Sequence, residues 1–420
     1  MSSIASASAN VAEGGKDQQD GRPPAARTSL RASMNLRQSG IYLAFVAITI
    51  LFAVLTKGDL LAPQNISNIM VQNSYILILA IGMILIIIAG HIDLSVGSVV
   101  GVTGAISAVL MVNWDVPWPL ALLITLVIGG LIGAWHGFWV AYFGIPAFIV
   151  TLAGMLLFRA LTMTVLGNQG IGPFPDPIRT LSNGFTNGLL GNIGLGATLG
   201  GADLLSILLG LAVCIGMGVA QWRTRAARVG YQQTVDPLPI FLAKFLGAAI
   251  AIMAVVIQLA RFKNLPWVLV LLGVLVLAYS VLTNRAVFGR QIYAVGGNVQ
   301  AAVLSGVKVK SVIFWIFVNM GVLSALAGVI FAGRLNLAGP TAGYSFELDA
   351  IAAALIGGAA VQGGVGKVVG ALTGGLIMGV INNGMSLIGA PSERVMLVKG
   401  AVLLAAVAFD VWAKRRAGRG

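Results

Sequence analysis

Residues 69–89 read IMVQNSYILILAIGMILIIIA, and none of these positions carries a charge. A helix of this length is about 30 Å long at 1.5 Å per residue, which matches the hydrocarbon core of a bilayer. The chain then turns polar at Gly90-His91-Ile92-Asp93 before a new apolar stretch begins. Comparable stretches lie near residues 40–57, 94–112, 119–142, 147–166, 203–222, 239–260, 266–283, 312–332, 350–365, 368–388 and 396–413, giving up to twelve helices. The third and tenth of the twelve are short and rich in Gly. Either can be a broken or partly inserted segment, which leaves about ten full crossings as the alternative count.

Composition agrees with this pattern. Of 420 residues, 58% are hydrophobic and only 9% are charged, where a soluble domain carries about 25% charged residues. The reading is therefore an all-α polytopic membrane protein of about 10–12 transmembrane helices. The net charge of +13 does not indicate nucleic acid, because the basic residues sit in tails and short loops rather than along one stripe. They act instead as topology signals. With Lys16, Arg22, Arg27, Arg31 and Arg37 placed in the cytoplasm, a twelve-helix alternation also puts Arg223, Arg225, Arg228, Arg285, Arg290, Lys308, Lys310, Lys414, Arg415, Arg416 and Arg419 there. Both termini are expected to be cytoplasmic, and the turn-rich segment 167–202 periplasmic. Residues 1–39 show no apolar period and are expected to form a disordered cytoplasmic tail. Residues 40–413 form the transmembrane domain, and 414–420 a basic cytoplasmic tail. The single cysteine, Cys214, excludes a disulfide framework and a cysteine metal cluster. No cofactor is implied.

An internal repeat is visible. Gly129-Gly130-Leu131-Ile132 and Gly144-x-Pro146 recur, 245 positions later, as Gly374-Gly375-Leu376-Ile377 and Gly389-x-Pro391. The count of intervening helices predicts an inverted arrangement of the two halves. Small residues four apart, in Gly129-x-x-x-Gly133-x-x-x-Gly137 and Gly366-x-x-x-Gly370-x-x-x-Gly374, predict close helix packing.

Polar groups in apolar surroundings are the functional candidates. Asp93 and Ser95 lie between two spans, where a charge in hydrocarbon costs at least ~2.5 kcal/mol. They either cap the following helix or line a translocation pathway, and both roles can coexist. Asn382 and Asn383 sit late in an apolar helix and offer donors and acceptors suited to sugar hydroxyls, or else close a helix-end turn at Gly384. Arg159, Lys244 and Lys399 are expected to snorkel toward headgroups. His136, between Gly133 and Gly137, is expected to be a packed, hydrogen-bonded side chain. The Gly363–Val368 stretch fails as a phosphate loop: Val361 replaces the first Gly, and Val368 follows Lys367 where Ser or Thr is needed. The chain itself should not hydrolyse ATP.

Between helices, residues 288–310 form a long polar interruption. Asn298 can cap a short helix over Val299 to Ser305 that ends at Gly306, with an apolar face of Val299, Ala302 and Val303 too small to make a core. Such a helix requires a partner.

Three ordered segments carry a resemblance: Gly90–Ser98 (GHIDLSVGS), Phe288–Val307 (FGRQIYAVGGNVQAAVLSGV) and Glu347–Gly384, which includes ELDAIAAALIGG and GGVGKVVGALTGGLIMGVINNG. They resemble the signatures of ribose/xylose-type ABC transporter permeases, and Ile145–Leu152 (IPAFIVTL) resembles another. The similarity covers roughly residues 40–413. It implies a membrane-spanning permease subunit of an ATP-driven sugar importer in the bacterial inner membrane, working with a second permease copy, a cytoplasmic ATPase and a periplasmic sugar-binding protein. It also implies that Phe288, Gly289, Arg290, Gly297, Asn298, Ala301, Ala302, Ser305 and Gly306 belong to the segment that couples to the ATPase. An additional helical pair around 203–283 looks more like the xylose permeases, which turns the expected cargo toward D-xylose. An ion-coupled carrier would need intramembrane carboxylates, yet Asp93, Asp349 and Asp410 fall at predicted span ends. A membrane enzyme would need a nucleophile–base pair or a metal cluster, and neither is evident.

Overall fold

A computed structural model of the protein describes residues 36–186 and 203–417. Most of the 1–39 tail, residues 187–202 of the long loop and residues 418–420 of the basic tail lie outside the described residues. The helices are α1 (Leu36–Leu55), α2 (Pro63–Gln72), α3 (Ser74–Ile88), α4 (Val96–Ala108, continued by a π-helical segment Val109–Asn113), α5 (Trp118–Ala141), α6 (Ala147–Leu166), α7 (Asp176–Asn183) and α8 (Leu204–Gly230). The second half contributes α9 (Leu238–Phe262), α10 (Trp267–Asn284), α11 (Val287–Gly297), α12 (Val299–Leu304), α13 (Val309–Leu335), α14 (Phe346–Ile356), α15 (Val368–Leu387) and α16 (Ser392–Ala417).

Each of the twelve predicted spans contains a helix. Among the described residues, eight helices are long and apolar enough to cross a membrane, and a ninth span results if α2 and α3, bent by 46° at Asn73, count as one. The difference from the expected 10–12 has a local cause. The apolar part of α1 is only Gly40–Leu55, and α14 is a half-length helix of 11 residues. The third span, in contrast, is complete once the π-helical segment is included.

Proline and glycine set most boundaries. Pro146, Pro237 and Pro266 immediately precede α6, α9 and α10, where a missing N–H costs nothing. Asp203 caps α8 by accepting a 3.0 Å hydrogen bond from the Ser206 amide. Helix α3 is apolar on every side, and its side chains from Ile76 to Ile88 are all buried; a helix with no polar face belongs in the middle of a bundle.

Helix α13 lies beside α3 and runs the opposite way. Tyr75 at the start of α3 meets Phe331 late in α13 at 5.2 Å between rings, while His91 just after α3 faces Phe317 early in α13 at 6.2 Å. The glycine stripes work as predicted: a Cβ on Gly133 would overlap the Phe317 carbonyl on α13, and one on Gly374 would overlap the Ala353 carbonyl on α14. These backbone approaches bring helices closer than side chains would allow.

The repeat is borne out in local geometry. Gly144 and Gly389 both take left-handed conformations, with φ of 72° and 66°. Each is followed by a residue and a proline, and then by α6 or α16. The amide of Ile149 donates to Pro146 at 3.0 Å, and that of Arg394 donates to Pro391 at the same distance. Helix α5 runs against α13, with Gly129 on Gly321 and Gly137 on Phe314, and α15 runs against α3, with Gly375 on Leu77 and Gly379 on Asn73; since α3 and α13 are antiparallel, the repeated helices α5 and α15 point in opposite directions.

The bundle has two recognisable ends. At one, α7 and the loop before it cover the end of α13: Ile171 bridges Ala338, and the Phe174 amide donates to the Asn336 side chain at 2.8 Å. At the other lie α11, α12 and the start of α13. Helices α4 and α14 begin side by side, with Gly97 against Gly343 and Glu347. From there they diverge, α4 toward the Phe174–Ala338 cluster and α14 toward Gly370 at the start of α15.

Candidate functional site

At the α12 end, Gly289 approaches the backbone of Thr283, which locks α11 onto the end of α10. Phe288 is half-buried against the core, whereas Arg290 is exposed and its guanidinium caps the Arg285 carbonyl at 2.9 Å. One turn on, the Tyr293 hydroxyl donates to the Gly366 carbonyl at 2.7 Å. Burial raises the Tyr293 pKa above its ordinary value, so the group stays a donor at physiological pH. Gly296 then touches the end of α3: any Cβ would collide with the Ile88 carbonyl, which accepts a 2.8 Å hydrogen bond from the Gly364 amide. Three chain segments thus meet backbone to backbone.

Helix α12 forms as predicted. The Asn298 side chain accepts from the Ala301 amide at 2.9 Å, and the helix closes at Gly306 with φ of 79°. Its orientation differs from expectation. Ala302 is 3% exposed and packs into the chain's own core, because the chain folds back at Gly306 and returns the Val307 amide to the Ala302 carbonyl. The apolar residues left facing outward are Val299, Val303 and above all Leu304, which is 89% exposed. Gly297, Ala301 and Ser305 are exposed beside them.

The four pathway candidates are not brought together. Asp93 is buried, and its Oδ1 accepts from the Ser95 amide at 2.8 Å and hydroxyl at 2.6 Å. Ser95, not Asp93, is the residue preceding α4; the carboxylate closes a turn over it instead of reaching further into the helix. Near the other end of α3, the Asn383 carbonyl oxygen accepts from the Asn65 amide at 2.8 Å, and Asn382 donates to Asn73 at 3.4 Å. Both asparagines tie α15 to the α2–α3 bend.

Two ion pairs escaped the sequence reading. Arg159 on α6 lies 3.8 Å from Glu347 on α14 and stacks over Tyr344 at 4.8 Å. Lys399 on α16 is 2.9 Å from Asp349. Neither base snorkels, because each has a carboxylate at its own depth; only Lys244 reaches a loop, where it pairs with Asp236 at 2.6 Å. The signal available was an acid pair, Glu347 and Asp349, directly before an apolar run, but partners 188 and 50 positions away left no local trace. His136 is packed as expected, against Phe158 and Gly154, although its Nε2 has no hydrogen-bond partner. Among the described residues, no three His, Cys, Asp or Glu side chains are placed to hold a metal.

Among the described residues, eight or nine candidate spans lie in inverted halves, an arrangement common among membrane transporters. The family described as branched-chain amino acid transport system / permease component matches residues 65–407. The chain belongs to that permease family. Among curated proteins, the permease is 38% identical over 384 residues to the xylose transport system permease protein XylH of Escherichia coli, covering 91% of this chain and 94% of that one. Its identity to the XylH of Haemophilus influenzae is 36%, covering 91% and 98%. The ribose import permease protein RbsC of Escherichia coli is 33% identical over 371 residues, covering 87% and 92%. No solved structure matches the permease.

Proposed function

We propose that the permease is the membrane-spanning subunit of an ATP-driven sugar importer with D-xylose as its cargo. One observation carries this reading: near end-to-end similarity to xylose permeases, at 36–38% identity over 91% of the chain, above the 33–35% over 87% shared with ribose permeases. The chain is a multi-pass inner-membrane protein, and it has no phosphate loop of its own. ATP hydrolysis therefore falls to a separate cytoplasmic subunit, and capture of sugar to a periplasmic binding protein.

The α12 end faces the cytoplasm in this reading, together with both termini, as the Lys and Arg distribution requires. The outward apolar ridge of Val299, Val303 and Leu304 is what the ATPase holds, and its motion enters the bundle through Gly296, Ile88 and Gly364. The α7 end meets the binding protein. Two copies of the permease pair to enclose the pathway, with lipid around the outer helices. Asp93 and Ser95, beside the start of α4, remain pathway candidates. Asn382 and Asn383 have already committed their carboxamides to Asn73 and Asn65, which favours an architectural role.

The test is uptake of labelled xylose, ribose and leucine by membranes containing the permease with its ATPase and binding protein. Xylose uptake that needs ATP and all three components is the expected result. Uptake of leucine with none of xylose would reject the sugar reading.

A further inference from the structure

We propose that Tyr344, Arg159 and Glu347 form a sugar-contact station on the wall of the translocation pathway; this rests on the sugar-importer reading above. The three residues come from different segments. Arg159 stands twelve residues after the start of α6 and seven before its end, so about 18 Å and 10 Å of helix separate it from either boundary. Tyr344 and Glu347 flank the start of the half-helix α14, beside Gly97 at the start of α4. The cluster is thus well inside the length of the bundle.

Its surface is unsuited to lipid. Tyr344 is 59% exposed, and the Arg159 side chain is 28% exposed next to it. A guanidinium open to hydrocarbon at that depth is strongly disfavoured, and arginines within membrane bundles line water-filled cavities or protein contacts. The neighbouring α14 positions supply a carboxylate but no shield.

The station also has unused bonding capacity. Glu347 is 7% exposed, and its Oε2 has no hydrogen-bond partner; Arg159 Nη2 is likewise buried without one. The pair is separated by 3.8 Å, which is an ion pair but not a hydrogen bond. The unpaired acceptor lies against Gly97 of α4 and the unpaired donor is enclosed beside it, both next to an aromatic ring that carries Arg159 on one side at 4.8 Å and is otherwise largely open. A pyranose presents hydroxyls that donate and accept, together with an apolar C–H face that stacks on an aromatic ring. A neutral sugar stacks on the open Tyr344 face and reaches the exposed part of the Arg159 side chain without adding charge, and the two enclosed groups behind them become available to its hydroxyls with a small shift of either side chain; weak contacts of this kind suit a station that must release its cargo.

The experiment places a cysteine at Tyr344 or, as a lipid-facing control, at Ile250 in the middle of α9, each in Cys214→Ser permease assembled with its ATPase and binding protein. A charged, hydrophilic methanethiosulfonate should modify Tyr344→Cys at least tenfold faster than Ile250→Cys, and saturating xylose during turnover should slow that reaction severalfold. Tyr344→Ala should lower maximal xylose uptake at least fivefold per permease molecule in the membrane. Modification as slow as at Ile250→Cys overturns the proposal, as does spontaneous cross-linking of two Tyr344→Cys copies without reagent access, which would mark a dry subunit contact. Fast modification without any effect of the transported sugar overturns the contact as well. If the unaltered complex moves another solute instead of xylose, the cargo assignment fails, and protection by that solute then decides against the station as a sugar contact.

Discussion

Lys399 donates to Asp349 Oδ2 at 3.0 Å and stands 2.9 Å from Oδ1, which accepts no hydrogen bond. The Asp349 side chain is 2% exposed and that of Lys399 21%, so the pair joins α14 to α16 with its carboxylate enclosed by protein. Removing one partner leaves a buried charge without a counter-ion, a loss of about 3–5 kcal/mol. Lys399→Met should therefore sharply reduce the fraction of folded permease in detergent, and Lys399→Met with Asp349→Asn should recover most of it. Thermal unfolding followed by size-exclusion chromatography measures both. Equal losses in the single and double variants would show that the pair is not what holds α14.

The contact of Gly296 with Ile88 predicts a coupling defect. In Gly296→Ala, the new methyl must displace either the end of α3 or the loop around Gly364, while the outer ridge of α12 is untouched. ATPase co-purification should remain near normal and xylose uptake should fall at least tenfold. Normal uptake at matched membrane levels would remove Gly296 from the route of transmitted motion.

On α12 the inward and outward residues make opposite predictions. Leu304→Asp adds a charge to an exposed position and should leave insertion and folding unchanged while weakening ATPase capture. Ala302→Asp buries a charge in the permease's own core and should reduce folded protein by several kcal/mol of stability. Co-purification of the ATPase, normalised to folded permease, separates the two. Full capture by Leu304→Asp would mean that the ATPase docks elsewhere.

Asn383→Ala removes an acceptor from Asn65, whose amide still reaches the Leu60 carbonyl at 3.0 Å. One buried hydrogen bond between neutral groups contributes about 1 kcal/mol. A modest drop in thermal stability with uptake largely kept is expected. Loss of uptake at unchanged stability would return Asn383 to the pathway.

The helices were legible in the sequence because a chain in hydrocarbon must satisfy its backbone within each segment, which leaves long apolar runs such as 69–89 as a direct record. The glycine stripes were legible for a similar reason: four-residue spacing is a property of one helix face. Ala302 was misplaced because a six-residue helix with apolar residues on two sides does not say which side is inward. Arg159 with Glu347 and Lys399 with Asp349 were invisible as pairs, since each base looks like an isolated charge in its own span. Their partners appear only when α14, too short to cross, brings its first turn into the interior between α6 and α16.

The opposed starts of α4 and α14 have an electrical consequence. Each helix carries a partial positive charge at its first turn, and here two such ends adjoin, with Arg159 nearby. An inner membrane sustains a voltage and a proton gradient, and a route wide enough for a pentose could also pass hydronium or sodium. Helix starts aimed at one level present their partial charges to whatever passes between them, and an ion meets those charges more strongly than an uncharged molecule does. Asp93, Glu347 and Asp349 stand at the same two starts, opposite Arg159 and Lys399, so the field there is set by all of these charges together. The level at which the inverted halves fit together is therefore also a level where charge is concentrated inside an otherwise apolar bundle.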